Sequence, residues 1–300
     1  MRAEVNDGRE QWWCAGLRWS GEDPALLWRH PGHGERLSPL PPGRPLAFST
    51  GDRRRCTGVR RNGRHTPCPD HAEVPATAVS SQCPQCARLD RSYSVASDTA
   101  VDDPRPYDVY LAWFAPGLIK VGITAAEREG ARLLEQAALS SALLGRGPLM
   151  AARRAEAVLG AALAVPDRFP YAAKRAARHP LPARERRTSE LAALHERARA
   201  LAPESLAVRD FAPVHHDRVF HLDRLRPGYG VVRLAPGRTV AGRVAAVAGP
   251  DVYLDTPDGQ LLLVDARQLA GWSLSAAAPD AGTTAEVHTP ESAEPPEALF

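Results

Sequence analysis

The sequence predicts an α+β fold divided into several domains. A chain of 300 residues has room for two or three domains, each able to bury its own core. Short alternating apolar pieces, broken by Gly and Pro, lie near both ends of the chain, and a strand–strand–helix pattern lies between them, from Tyr107 to Gln136. We therefore expect a β-rich N-terminal module, a mixed central core and a small C-terminal β-barrel.

The composition excludes several other classes. With 44% hydrophobic and 24% charged residues, the chain is typical of a soluble globular protein. No run approaches the ~18 apolar residues of a membrane helix, and the first residues lack the apolar stretch of a signal peptide. We expect a cytoplasmic protein without a membrane segment.

The N-terminal module is predicted to span residues 11–91. Its apolar pieces are separated by glycines and prolines at the spacing of short strands. They contain Trp12, Trp19 and Trp28, which we expect in the core because aromatic residues are usually buried. The alternative is a surface on which nucleobases stack.

Four cysteines follow in the same module: Cys56, Cys68, Cys83 and Cys86. The two-residue gap between Cys83 and Cys86 lets two thiolates bind one metal, and the longer loop from Cys56 to Cys68 can fold back to complete a tetrahedron. In a reducing compartment such a set favours structural Zn²⁺ over disulfides. His65 or His71 could replace one cysteine, and unconnected thiols are the alternative. Cys14 is expected to be a lone buried thiol.

Basic residues cluster around these cysteines. Six arginines occur without an acid between positions 53 and 64, namely Arg53, Arg54, Arg55, Arg60, Arg61 and Arg64. Arginines on a metal-pinned loop could contact phosphates and position a nucleic acid. The alternative is a solvated charged surface.

The central core is predicted over residues 105–202 and begins with a hairpin. Residues 108–114 alternate as a strand does, Ala115-Pro116-Gly117 marks a turn, and residues 118–123 form a second strand. Thr124 stands three residues before Glu127, as in a capping box, so a helix is expected from Ala125 to about Leu139.

One hairpin residue is unusual for this chain. Of its 38 Lys and Arg residues only Lys120 and Lys174 are lysines. A lysine retained on a strand suggests a site that needs a compact ammonium group. The alternative is a chance lysine at a strand edge.

Two more helices are expected in the central core. One runs from Pro148 to Leu163 and carries Arg153 and Glu156; the other is capped by Thr188 or Ser189 and runs to about Leu201. Arg and Lys outnumber Asp and Glu between positions 151 and 200. This surplus would attract phosphodiesters.

The C-terminal segment, residues 205–275, contains short alternating runs divided by Pro-Gly and Pro-Asp-Gly turns. It is predicted to form a small β-barrel, with a sandwich as the alternative, of the size of an SH3-like or OB-like fold. The acidic tail at residues 276–300 is predicted to be disordered. Because this tail is acidic, the rest of the chain has a more positive net charge than the whole, which is compatible with polyanionic partners.

The hairpin unit resembles the core of GIY-YIG nucleases. In that superfamily a first-strand tyrosine faces a second-strand motif ending in glycine, and an arginine projects from the following helix. The matching pieces are Val109-Tyr110-Leu111, Lys120-Val121-Gly122-Ile123-Thr124, and Arg132, with Arg128 as the alternative. Over most of residues 11–275 the chain is also similar to an uncharacterised bacterial family, domain of unknown function 2797.

The superfamily resemblance implies roles for specific residues. Tyr110 would act on the attacking water as base or relay, and Lys120 and Arg132 would stabilise charge on the phosphate. A glutamate would hold Mg²⁺. In the superfamily it lies near the position of residues 167–171, where this chain reads Asp-Arg-Phe-Pro-Tyr. Glu156 is the nearest candidate, and a surface ion pair with Arg153 is the alternative.

The sequence thus predicts a zinc-containing protein that binds DNA or RNA and that would be a Mg²⁺-dependent nuclease if its core is catalytic. The predicted nucleic-acid contacts are Arg53, Arg54, Arg55, Arg60, Arg61 and Gly122. A non-catalytic protein-interaction scaffold on a degenerate GIY-YIG fold is the alternative.

Overall fold

A computed structural model describes residues 11–61, 64–92, 103–166 and 169–290. The chain divides into two compact units. The first combines the N-terminal segment, up to Ser94, with Tyr229–His288, and the second is formed mainly by the residues between them.

The N-terminal segment is mainly β-structure. Its elements are β1 (Trp13–Ser20), β2 (Asp23–His30), β3 (Gly34–Pro39), β4 (Pro45–Arg54), β5 (Val59–Arg61), β6 (Arg64–Thr66) and helix α1 (Pro84–Ser92). β5 and β6 pair with each other as a two-stranded antiparallel sheet.

The second unit is a mixed sheet with helices. Its elements are β7 (Pro106–Ala115), β8 (Leu118–Ala125), α2 (Ala131–Glu135), β9 (Ser140–Pro148), α3 (Leu149–Ala162), α4 (Tyr171–Ala176), α5 (Arg184–Ala200), β10 (Ala207–Val208) and β11 (Pro213–His215). The strand order is β10-β9-β7-β8, and β11 pairs with another part of β9.

The C-terminal segment returns to the first unit. It contains β12 (Tyr229–Arg233), β13 (Thr239–Ala248), β14 (Asp251–Asp255), β15 (Leu261–Asp265), α6 (Ala266–Leu269), β16 (Trp272–Ala276) and β17 (Glu286–His288). Within the described residues, the sheet of this unit has ten strands in the order β17-β12-β15-β14-β13-β4-β16-β1-β2-β3.

This sheet corrects the expected domain layout. β4 pairs with both β13 and β16, so Phe48 lies opposite Val240 and also opposite Ala276. The N-terminal module and the C-terminal strands are therefore one sheet, and the described residues form no closed barrel. Local alternation predicts strands but not which distant strands pair. Residues 205–228 also differ from the expectation, because β10 and β11 belong to the second unit.

The acidic tail also departs from the expectation in part. β17 lies within it and pairs with β12, Val287 opposite Val232. Residues 291–300, the rest of the expected disordered tail, lie outside the described residues, as do residues 93–102.

The central hairpin forms as predicted, but the helix after it does not. β8 extends through Thr124, whose buried hydroxyl has no hydrogen-bond partner, so the capping box is absent. A single 3₁₀ turn (Ala126–Arg128) follows, and the five-residue α2 begins after Gly130 in a left-handed conformation. The residues that were expected to cap and begin a helix instead continue β8, where Thr124 pairs with Asp108 of β7.

The later helices agree better with the prediction. α3 occupies Leu149–Ala162, and α5 begins at Arg184, before the expected cap at Thr188. α5 packs on one face of the sheet, where Glu190 accepts a 2.7 Å hydrogen bond from Trp113 Nε1. Across the described ranges no helix is both long and apolar enough to cross a bilayer.

Candidate metal centre and candidate phosphate-binding face

Four cysteines of the first unit converge. The sulfur atoms of Cys56, Cys68, Cys83 and Cys86 all lie within 4.8 Å of one another, and none is in a disulfide. Tetrahedral Zn–S bonds of about 2.3 Å place sulfurs about 3.8 Å apart, so the cluster fits one metal ion after a small adjustment. The two histidines offered as alternatives are not part of it, and His65 Nε2 is instead 2.7 Å from the Thr57 carbonyl oxygen.

The local backbone explains why the cysteines meet. β5 and β6 close the loop between Cys56 and Cys68, and α1 starts at Pro84, so Cys83 and Cys86 flank the first turn of a helix. Gly58 has a φ of 72°, and a Cβ there would lie 2.2 Å from the Thr66 carbonyl oxygen. Only glycine fits this close approach.

Two backbone hydrogen bonds would stabilise a negative charge on the Cys56 sulfur. Cys56 Sγ accepts from the backbone N–H groups of Cys83 at 3.2 Å and Gly58 at 3.4 Å. A backbone N–H from Cys86 lowers the pKa of the Cys83 thiol, whereas burial raises the pKa of Cys56 and Cys86. Thiolates are the form that binds metal, so the cluster requires a cation to hold all four deprotonated.

The arginines around this cluster differ from one another. Arg53 and Arg60 are exposed, and Arg53 forms a 3.1 Å ion pair with Glu73. Arg55 is half-buried, with its guanidinium 4.6 Å from the centroid of the Trp13 ring. The side chain of Arg61 lies outside the described residues.

Arg54 is not a surface residue, contrary to its predicted role in nucleic-acid binding. Its side chain is 1% exposed and donates to the carbonyl oxygens of Ala270, Pro75 and Arg267 at 2.9, 3.1 and 3.0 Å. These bonds join the N-terminal and C-terminal segments of the first unit. Sequence clustering alone could not separate this buried arginine from its exposed neighbours.

The hairpin of the second unit brings the other predicted residues together. Tyr110 lies opposite Gly122, and Ala112 lies opposite Lys120. Directly opposed residues share a face of the sheet, so we call this side of the β7–β8 hairpin the Tyr110 face. A Cβ on Gly122 would lie 2.5 Å from Tyr110 Oη and 2.6 Å from Cζ. The absence of a side chain at Gly122 makes room for the tyrosine ring.

Three side chains act on the Tyr110 hydroxyl. Gln136 Nε2 donates to it at 2.8 Å. The Arg132 guanidinium interacts with the same hydroxyl, and Glu156 on α3 is close enough to affect its titration. Burial raises the pKa of Tyr110; the Gln136 hydrogen bond and the Arg132 charge oppose this rise, while Glu156 adds to it. The residue is 1% exposed, so it is a buried neutral phenol.

Arg132 differs from Tyr110 in exposure. Its side chain is 46% exposed and also lies 3.6 Å from Glu135. A ligand approaching the Tyr110 face would meet this guanidinium before it met the phenol.

The second lysine of the chain lies on the same face. Lys174, in α4, is 7% exposed, and its ammonium group is 3.8 Å from the centroid of the Phe114 ring. Its Nζ also donates to the Gln136 carbonyl oxygen at 3.3 Å. Phe114 packs in one cluster with Tyr110 and Ala112. Both lysines of a lysine-poor chain therefore belong to the Tyr110 face.

Sequence reasoning missed Gln136 and Lys174 as members of this face. A signal existed for Lys174, since it shares with Lys120 the rarity that made Lys120 stand out. Gln136 had no such signal, because its position depends on the short α2 and on Ala137 in a left-handed conformation with φ 59°. Asp167 and Arg168, near the expected glutamate position, lie outside the described residues.

The fold and these sites define a class: an α/β protein of two compact units, one of which carries a cluster of four cysteines that can hold a metal ion. The chain belongs to the family described as Protein of unknown function (DUF2797), whose sequence profile matches residues 43–274. The family membership expected from the sequence is thus confirmed. No curated protein and no solved structure matches the chain.

Proposed function

We propose that this protein binds nucleic acid through phosphate contacts. Arg132 and Lys120 on the Tyr110 face supply one set of contacts, and the exposed arginines beside the cysteine cluster, Arg53 and Arg60, supply another. Such contacts fix the position of a polymer without reading its sequence. The cytoplasmic location expected from the sequence is part of this proposal.

One observation carries the proposal: the Tyr110 face brings together Arg132, which interacts with the Tyr110 hydroxyl, and both lysines of the chain. A compact ammonium differs from a guanidinium mainly at tight sites, and a chain that otherwise uses arginine has kept lysine twice at this face. A surface that served only solubility would not need this choice.

The four cysteines would hold zinc with a structural role. Their sulfurs leave no open position for substrate, which is typical of structural rather than catalytic zinc. The ion would fix the fold of residues 56–86 and with it the orientation of Arg53 and Arg60.

Tyr110 would act as a positioning residue for Arg132. The phenol is buried and neutral, and it accepts a hydrogen bond from Gln136, so it is a rigid support for the guanidinium. A base that accepts a proton from water would need a lower pKa and access to solvent.

Metal-dependent cleavage is a second candidate function, favoured by the proximity of Glu156 to the Tyr110 hydroxyl. Glu156 would hold Mg²⁺, which would neutralise charge on a phosphodiester. The scaffold alternative treats the same residues as structural.

The test is equilibrium binding of a labelled oligonucleotide at low salt, measured by fluorescence anisotropy. The double variant Lys120→Met/Arg132→Gln should weaken binding by about tenfold or more, since phosphate contacts are charge-assisted hydrogen bonds. The matched control Arg197→Gln/Arg199→Gln removes two exposed charges from α5 of the same unit and should change affinity little.

Two results would separate the candidates. Absence of binding by the wild type at low salt would reject the proposal and would favour the alternative of a protein-interaction scaffold. Cleavage in Mg²⁺ that is lost in Glu156→Gln would establish the nuclease, whereas binding without cleavage would leave the binding function alone.

A further inference from the structure

A second potential contact surface lies in the first unit, at the end of the β2–β3 pair. It contains five side chains that we call the Trp12 cluster: Trp12, Trp28, His30, His33 and Arg36. The Arg36 guanidinium lies 4.5 Å from the Trp12 ring centroid and 5.6 Å from that of Trp28. The rings of His30 and His33 are 5.3 and 6.5 Å from the Trp12 ring.

Trp12 and Trp28 are not core residues, although the sequence predicted that they would be buried in the core. Both keep part of their surface exposed, and His33 and Arg36 are exposed. Trp19, the third tryptophan of this segment, shows the contrast: it is 4% exposed, and its Nε1 donates to the Gly249 carbonyl oxygen. Partly exposed tryptophan rings gathered at one surface offer apolar area for contact with a ligand.

The charge of the Trp12 cluster is positive. Arg36 lies opposite Trp28 across the strands, whereas Glu35 lies opposite Arg29 and pairs with it at 2.9 Å. Strand alternation therefore directs Glu35 to the other face.

The tryptophan rings and the positive charge of Arg36 together favour some of the ligands that stack on indole rings over others. Arg36 already places a positive charge against both tryptophans, so a cationic ligand such as a methylated lysine would be repelled. A planar base attached to a phosphate matches both the rings and the charge. Only a single strand exposes its bases for such stacking, because duplex bases are stacked on each other.

We infer that the Trp12 cluster binds unpaired nucleobases, so that this protein prefers single-stranded nucleic acid. The inference rests on the proposed function and names its substrate class. Trp12 and Trp28 supply the stacking surfaces, and Arg36 contacts the adjoining phosphate or stacks on the same base.

The experiment compares a labelled single-stranded oligonucleotide with a duplex of the same sequence. Trp12→Leu and Trp28→Leu should each weaken single-strand binding by about tenfold, as expected for one lost base–aromatic stack, and leave duplex binding and the salt dependence unchanged. Trp12→Phe and Trp28→Phe keep a ring and should retain most of the affinity, which separates stacking from a folding defect.

Trp13→Leu is the matched control. Trp13 is half-buried and also carries an arginine over its ring, but its strand partner is Arg29 rather than a member of the Trp12 cluster. It should bind the single strand as the wild type does.

Three results would overturn the inference. If the leucine variants at Trp12 and Trp28 bind the single strand as tightly as the wild type, the Trp12 cluster is not a stacking surface, although the proposed function stands. An equal loss in Trp13→Leu would show a general defect of the unit. If the wild type binds neither oligonucleotide at low salt, the proposed function fails and the inference fails with it.

Discussion

The fit of the Tyr110 ring over Gly122 can be tested by the substitution Gly122→Ala. The added Cβ would lie 2.5, 2.6 and 2.8 Å from Oη, Cζ and Cε2 of Tyr110, where about 3.5 to 4.0 Å is normal for carbon contacts. The ring would have to move by about 1 Å. It is 1% exposed and bonded to Gln136, so it has little room to retreat.

Overpacking of this kind costs about 1 to 3 kcal/mol. Replacing glycine in a strand interior returns about 0.5 to 1 kcal/mol, so a net loss of about 1 to 2 kcal/mol is expected. Urea unfolding should show a lower midpoint for the variant. Oligonucleotide affinity should also fall, because the displaced phenol no longer supports Arg132.

Two comparisons make this prediction specific. In a Tyr110→Leu background the cost of Gly122→Ala should nearly vanish, since the two residues share one contact. Gly160→Ala, in the interior of α3 with its nearest atom 3.9 Å away, should instead stabilise the protein through helix propensity. If Gly122→Ala is as stable as the wild type, the tyrosine ring does not lie over this glycine.

Three further predictions concern stability. Arg54→Lys should destabilise the first unit by about 3 kcal/mol or more in urea unfolding, because lysine cannot serve the separate carbonyl groups that the buried guanidinium satisfies; an unchanged midpoint would contradict the buried role. Protein purified without added metal should contain about one zinc per chain by elemental analysis, and Cys86→Ser should lose it; a wild type with less than about half an equivalent would reject the zinc site. Burial lowers the pKa of His216 from 6.5 to about 4, so only the unfolded chain binds a proton between these values. Stability should therefore fall by about 3 kcal/mol as pH drops from 6.5 to 4, and His216→Asn should remove this part of the pH dependence; an unchanged pH slope would show that His216 is not the group responsible.

The sequence predicted well where the pattern was local. Alternation over residues 108–123 identified the β7–β8 hairpin, whose register the structure gives with Tyr110 opposite Gly122. The cysteine spacing identified the cluster because a short two-residue gap leaves few alternatives.

The sequence predicted poorly where distant segments decide the structure. The pairing of β4 with β13 and β16 joins strands about two hundred residues apart, and no local signal marks it. Thr124 has the residue spacing of a capping box, but it pairs as part of β8 instead. Arg54 of the basic cluster is buried because the carbonyl groups of Pro75 and of the distant Arg267 and Ala270 accept its hydrogen bonds. The contact of Gln136 with Tyr110 could not be predicted, because it depends on the short helix α2 that precedes Gln136.

The salt dependence of binding tests the central claim most directly. The logarithm of the oligonucleotide affinity should fall linearly with the logarithm of salt concentration for the wild type. Lys120→Met/Arg132→Gln should reduce the magnitude of that slope by about 1.5, since each lost phosphate contact removes about 0.7 to 0.9, while Arg197→Gln/Arg199→Gln should keep it. A double variant with the slope and affinity of the wild type would show that the Tyr110 face does not contact phosphate.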